Sequence, residues 1–362
     1  MRKTVSFASL LVLICGFTVT AQAANKWGLK EGAPELKSAG HLAVGPDGVL
    51  FIGDTKGAQI VAIDTGDAKG DASKAKYEIA NLDAALSAAA GGSKVTVNDL
   101  VVNPASGNLF LSVTKADDKP AIIKIDSTGK ASELSLAKVA FQKLALPNPP
   151  EDKVVGEGKR ARNRRNEAIT DMVYSDGKVL VTGVSADASP SIVREVSFPF
   201  TEADPGTPVE IYHGAHGKLE DAAIRAFVPF TIDGQPSILA GFTCTPLVRF
   251  SVNDLDAGKK VRGTTVAELG NRNSPLDIVL YDKGGDKFLL IANTARGVMK
   301  VSTKDIGRKE GITERVADTA GQTYETIADL QGTVQLDKLS DTQAVVVINK
   351  DGALALKTVA LP

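Results

Sequence analysis

The chain has 362 residues, 43% of them hydrophobic and 23% charged, with 42 basic against 43 acidic side chains. The formal charge of −1 excludes recruitment of nucleic acid or anionic membrane by global charge. Two cysteines exclude a disulfide scaffold, and one Trp, Trp27, among few aromatics excludes a sugar platform built from Trp and Tyr.

Residues 1–23 read as a cleaved signal peptide: Arg2 and Lys3, a mostly apolar run from Val5 to Val19, and the small-x-small site Ala21-Gln22-Ala23. The run is shorter than the ~20 residues a membrane span needs, and Ile14 before Cys15 argues against a lipoprotein site. Cleavage takes away two basic residues and no acids, moving the formal charge to −3. It leaves Cys244 as the only thiol, so the expectation is a periplasmic or secreted protein without an internal disulfide, held by its core. No other long apolar run occurs, so a membrane span is not expected.

From there the chain alternates short apolar runs with Gly, Asp and Pro turns, the pattern of an all-β protein. Residues 82–90 and 134–144 are the main stretches of helical period. Six segments align: from His41 (HLAVGPDGVLFIGDTKGAQIVAID), from Asp99, from Asp171, from about Ala226, from Asp277 (DIVLYDKGGDKFLLIANTARGVMKV) and, more weakly, from Thr333. Each reads as three strands. A fourth is expected at Lys76 to Ala80, Ala131 to Leu136, Pro208 to Tyr212, Thr264 to Leu269 and Ile312 to Ala317, with residues 25–39 supplying the sixth and closing the ring. The fold predicted for residues 24–362 is a single β-propeller of six blades, each of four antiparallel strands. A two-sheet sandwich, two smaller β domains, or a seventh blade within residues 138–168 are the alternatives. Pro, Gly and charge mark about 145–168 as an exposed insertion, with Lys153, Lys159, Arg160, Arg162, Arg164 and Arg165 in one run. The run has no aromatic for base stacking, so nucleic acid is not the expected partner.

The innermost strand of each blade lines the channel, and its starting end shares a face with the loop between the second and third strands. His41, Asp99, Asp171 and Asp277 stand at those starts, with Asn98 and Asn273 beside them. Gathered carboxylates and amide oxygens suit a hard cation such as Ca²⁺; alternatively, each Asp accepts backbone N–H bonds in its own loop. His213, His216 and Cys244 fall in two loops of that face. Two imidazoles and a thiolate suit Zn²⁺ or copper, unless they are a buried thiol and two hydrogen-bonded histidines. Arg225, Arg272 and Arg296 approach the same face. The loop hydroxyls Thr55, Thr114, Ser185, Thr243 and Thr294 read as turn chemistry.

The turns Gly45-Pro46-Asp47-Gly48 and Ser175-Asp176-Gly177 between apolar strands resemble propeller repeats of the NHL and SMP-30/gluconolactonase kind. That resemblance implies a six-bladed propeller and, in SMP-30-like hydrolases, a divalent metal held in the channel by Glu, Asn and Asp. Asn98 looks like the family's Asn and Asp171 like its Asp, whereas Gly40-His41 stands where the family has Glu. The functional expectation is a small molecule, metal or protein partner bound at the channel-mouth face of a monomer. A lactonase-type hydrolase using Asn98 and Asp171 is the enzymatic alternative. A quinone-cofactor dehydrogenase with His41, His213 or His216 as base is another, and a non-catalytic scaffold a third. No CxxCH, HExxH, GxSxG or phosphate-binding Gly loop occurs.

Overall fold

The computed structural model describes residues 26–158, 161–187, 191–255, 258–308 and 310–362. The six aligned segments form six mainly antiparallel sheets around a central channel, a six-bladed β-propeller. Numbered along the chain, the innermost strands of blades 1 to 6 are Leu42–Val44, Val95–Val102, Asp171–Ser175, Ile224–Ile232, Pro275–Lys283 and Thr333–Lys338. The second strand of each blade is buried along most of its length, because neighbouring blades cover both of its faces. The turns legible in the sequence do what a tight hairpin requires. Asp47 and Gly48 take φ of 54° and 79°, and Asp176 and Gly177 take 50° and 81°. Asp tolerates this left-handed region and Gly enters it without steric cost.

The apolar residues fall into six clusters, one at each blade interface. They join blades 1 and 2, 1 and 3, 3 and 4, 4 and 5, 5 and 6, and 6 and 2. The order round the ring is therefore 2-1-3-4-5-6, with the first two blades exchanged relative to the chain. The contacts among innermost strands follow the same order.

This exchange explains where the expected outer strands went. Lys76 to Ala80 does not complete blade 1. Glu78–Ile79 pairs instead with Ala353–Ala360 of blade 6, Ile79 opposite Leu356. The chain then forms the helix Leu82–Ala89, capped by the Asn81 side chain, whose Leu82 and Leu86 enter the core between blades 6 and 2. After blade 2 it returns, and Val139–Ala145 becomes the fourth strand of blade 1, Phe141 opposite Ile63. Residues 134–144 are thus neither helix nor a seventh blade; a free sheet edge overrides the helical period. Residues 25–39 do not close the ring: Lys30–Gly32 adds a fifth strand to blade 1, beside Val139–Ala145. In blade 5 the fourth strand is Tyr324–Ile327, not Ile312 to Ala317, which is not strand. The outer strands at 131–133, 207–213 and 264–269 lie where expected.

The 145–168 insertion carries the small hairpin Val154–Val155 with Arg162–Asn163, then the 3-10 turn Arg164–Glu167. Lys159 and Arg160 lie outside the described residues. Arg165 is tied down through Nε to Pro150 O at 2.6 Å, and Val154 and Val155 are exposed. Among the described residues no helix is long and apolar enough to cross a membrane.

Candidate functional site: a carboxylate-lined channel

Blades 2, 4, 5 and 6 share a local device. The innermost strand begins with a bulge at Asn98, Arg225, Leu276 and Val334, which re-aims the residue after it. In blades 2 and 5 that residue is Asp99 or Asp277. In blade 3, without a bulge, Asp171 opens the strand. Because the ring runs 2-1-3-4-5-6, these three acids occupy alternate blades. Asp337 of blade 6 lies two residues beyond Gln335, its post-bulge residue, on the same face of the strand and one layer deeper. All four carboxylates line one cavity.

Their hydrogen bonds follow one rule. One oxygen accepts the next N–H of its own strand: Leu100, Met172, Ile278 or Lys338, at 2.8, 2.7, 3.2 and 2.6 Å. The other reaches the next blade in the same rotational sense. Asp99 takes Leu42 N–H at 2.7 Å, Asp171 takes Phe227 at 2.8 Å, Asp277 takes Leu336 at 2.9 Å and Asp337 takes Val102 at 2.7 Å. The acids therefore staple blades together, which loop-local bonding would not do. Each such oxygen keeps a lone pair free for the channel.

Concentrating these charges away from bulk water opposes ionisation. Burial first, then repulsion from Asp171 and Asp337, holds Asp99 well above the usual carboxylate range. Burial and the other three acids do the same to Asp277. Asp171 is pushed up to about 7 and Asp337 to about 6, burial being the main cause, with the backbone N–H bonds pulling the other way.

The cavity beyond the acids measures about 700 Å³ and opens where the innermost strands end, not where they start. Its walls include Val44, Met172, Tyr174, Phe227 and Ile278. Among the described residues six carboxylates line it against one ammonium, Lys338, which pairs with Asp341 at 2.9 Å. Asp341 is highly exposed and Asp71 pairs with Lys74, so these two belong to the rim.

The opposite mouth holds His41, Asn98, Asn166, Arg225, Thr243 and Gln335, with Asp99 common to both compartments. His41 Nδ1 lies 4.0 Å from Asp99, and burial lowers the imidazole to about 4, so it is neutral at pH 7. The Asn98 amide donates to Ala39 O at 2.7 Å and to Thr114 Oγ1 at 2.9 Å, and the residue lines this mouth. Asn98 and Asp171 thus line different ends of the channel. Arg225 bonds Glu167 at 2.9 Å, and Arg296 lies 3.6 Å from Asp318, so these two guanidinium groups are paired. Thr114 and Thr294 fasten strand starts, Thr294 by accepting from Ser274 N at 3.0 Å.

Away from the channel, between blades 3 and 4, one ligand atom each of His213, His216 and Cys244 lies within 4.8 Å of the others. The sequence grouped these three but missed Glu220, whose oxygens take Nδ1 of His213 at 2.8 Å and of His216 at 2.9 Å. Asp337 was missed because its segment aligns poorly at the start. The signal was present in Leu336-Asp337-Lys338, where an acid interrupts a channel strand on its inward face.

No family model and no curated protein matches the chain. Among solved structures it is similar to the PQQ-bound aldose sugar dehydrogenase of Streptomyces coelicolor, with TM-score 0.34 and 12% identity, covering 91% of this chain and 97% of that one. It is also similar to an oxidoreductase designated a glucose dehydrogenase from Thermus thermophilus, with TM-score 0.35, 12% identity and coverage of 92% and 100%. A third is a protein designated a 6-phosphogluconolactonase from Bacteroides uniformis, with TM-score 0.36, 12% identity and coverage of 87% and 74%. At that distance the likeness says nothing about chemistry.

Proposed function

We propose that this chain is a ligand-binding propeller, working outside the cytoplasm, whose channel takes a small organic cation. The observation that carries this reading is the floor of four carboxylates under a partly apolar cavity of about 700 Å³. That volume lies within the few-hundred to ~1,000 Å³ of small-molecule sites. A bare Ca²⁺ would use the carboxylates but not the walls formed by Val44, Met172, Tyr174, Phe227 and Ile278. A primary or quaternary ammonium on a short apolar body uses both: its charge relieves the repulsion among the acids, and its carbons displace water from the walls.

Thermal shift and calorimetry at pH 8 with alkyl diamines, tetraalkylammonium ions, Ca²⁺ and Mg²⁺ test this. An organic cation is expected to raise Tm and bind at one equivalent, and to do so at least ten-fold more weakly at pH 5.5, where the acids carry protons. Asp277→Asn should weaken it further while the circular dichroism is unchanged. No shift with any organic cation at millimolar concentration, or equal binding at both pH values, would reject the reading. Export is tested separately. The protein recovered from the periplasm or medium should begin at Ala24, and a cell-retained chain still carrying Met1 would sink that part.

A further inference from the structure

We propose a second, independent site: His213, His216 and Cys244 bind one thiophilic transition-metal ion of the Zn²⁺ class, with Glu220 orienting both imidazoles. Glu220 Oε2 lies 2.8 Å from Nδ1 of His213 and its Oε1 2.9 Å from Nδ1 of His216, with the Lys218 ammonium 3.1 Å from the same Oε1. A carboxylate oxygen facing each Nδ1 accepts that nitrogen's N–H, which leaves the lone pair of both imidazoles on Nε2. A carboxylate behind a histidine in this way sets tautomer and ring orientation at metal centres. One acid doing it for two imidazoles whose ring centroids lie 3.8 Å apart leaves both Nε2 lone pairs free.

The second observation is independent of these bonds. His213 is 2% exposed, and its buried Nε2 has no hydrogen-bond partner among the described residues. Leaving such a group unmatched is unfavourable; a metal ion would satisfy it. The two loops are also held firmly. Gly214 N–H donates to Glu268 at 2.6 Å, Cys244 N–H to Asn273 O at 2.7 Å, and Thr245 Oγ1 to Gly270 O at 2.6 Å. Cys244 and Thr245 sit at φ of 66° and 59°, where Gly or Asn would ordinarily be found, and this turn aims the thiol towards the histidines. Tetrahedral zinc with bonds of about 2.0 Å to nitrogen and 2.3 Å to sulfur holds its donors roughly 3.5 Å apart, so the side chains close by about an ångström. Three protein ligands leave the fourth position for water or an exogenous ligand.

The test uses Co²⁺ as a spectroscopic probe on the reduced, metal-free mature protein. One equivalent should bind with thiolate-to-cobalt charge-transfer absorption and tetrahedral ligand-field bands, and Zn²⁺ should displace it. Cys244→Ser should abolish the charge-transfer band. Glu220→Gln should weaken affinity about 10- to 100-fold with the circular dichroism unchanged, and Zn²⁺ should protect Cys244 from a thiol reagent. Binding without a charge-transfer band, a band that survives Cys244→Ser, thiol reactivity indifferent to Zn²⁺, or Cys244 recovered as an intermolecular disulfide would each overturn the proposal. Asp277→Asn should leave this site unaffected, so failure here and failure of the channel reading are separately visible.

Discussion

Lowering the pH from 8 to 5.5 is expected to stabilise this protein, against the usual trend towards acid denaturation. An acid whose pKa is higher in the folded than in the unfolded chain takes up a proton on folding. Its contribution is complete below the unfolded value of about 3.9 and is lost as the pH rises through the folded value. Asp99 and Asp277 lie well above the ordinary range, Asp171 near 7 and Asp337 near 6, and burial raises Glu268 to about 7. All five act in the same direction.

His41, lowered to about 4 by burial, and His213, also lowered by burial, act the other way below about pH 6.5. Glu220, held near 2, opposes the acids only towards pH 4. Five groups against two leave a net proton uptake between pH 5 and 8. Even two protons correspond to about 2.7 kcal/mol per pH unit. The midpoint of thermal unfolding should then be on the order of 10 °C higher at pH 5.5 than at pH 8. Asp277→Asn should flatten the profile, since its weaker bond, to Ile278 at 3.2 Å, is the one an amide can give up. A midpoint that climbs steadily from pH 5 to 8 would contradict this picture of the channel's electrostatics.

Tyr77→Ala should have the largest effect on stability of these substitutions. Tyr77 is 1% exposed and sits where the segment after blade 1 meets the last strand of blade 6. Its N–H donates to Thr358 Oγ1 at 2.9 Å, its carbonyl accepts Thr358 N–H at 2.9 Å, and its hydroxyl donates to Gly107 O at 2.5 Å. Removing a buried aromatic of this size costs about 3–5 kcal/mol, and here it also loosens the joint that closes the ring. Chemical denaturation should show that loss, and amide exchange should rise selectively in Ala353–Ala360 and Glu78–Ile79. Tyr77→Phe, which loses only the hydroxyl bond, should cost about 1 kcal/mol. If Tyr77→Ala costs no more than Tyr77→Phe, the joint does not hold the ring.

What could be read without coordinates was local. Period-two alternation, Asp-Gly turns and the repeat of strand triplets specify hairpins, because hairpin pairing is set within some twenty residues by side-chain alternation and turn geometry. Six such units imply radial closure, and acids at equivalent positions of equivalent strands must then face one axis. Asp99, Asp171 and Asp277 were legible for that reason, and so were His213, His216 and Cys244, each at the same end of its strand.

What the tertiary structure decided was every pairing between distant edges. Fourth strands pair with whichever edge is open, so Val139–Ala145 completes blade 1 and Glu78–Ile79 completes blade 6. The exchange of blades 1 and 2 follows from those two choices, and no local pattern encodes it. Glu220 and Asp337 acquire their roles only from what lies opposite them, because a carboxylate's pKa and partners are properties of the surrounding space and not of its neighbours in the chain.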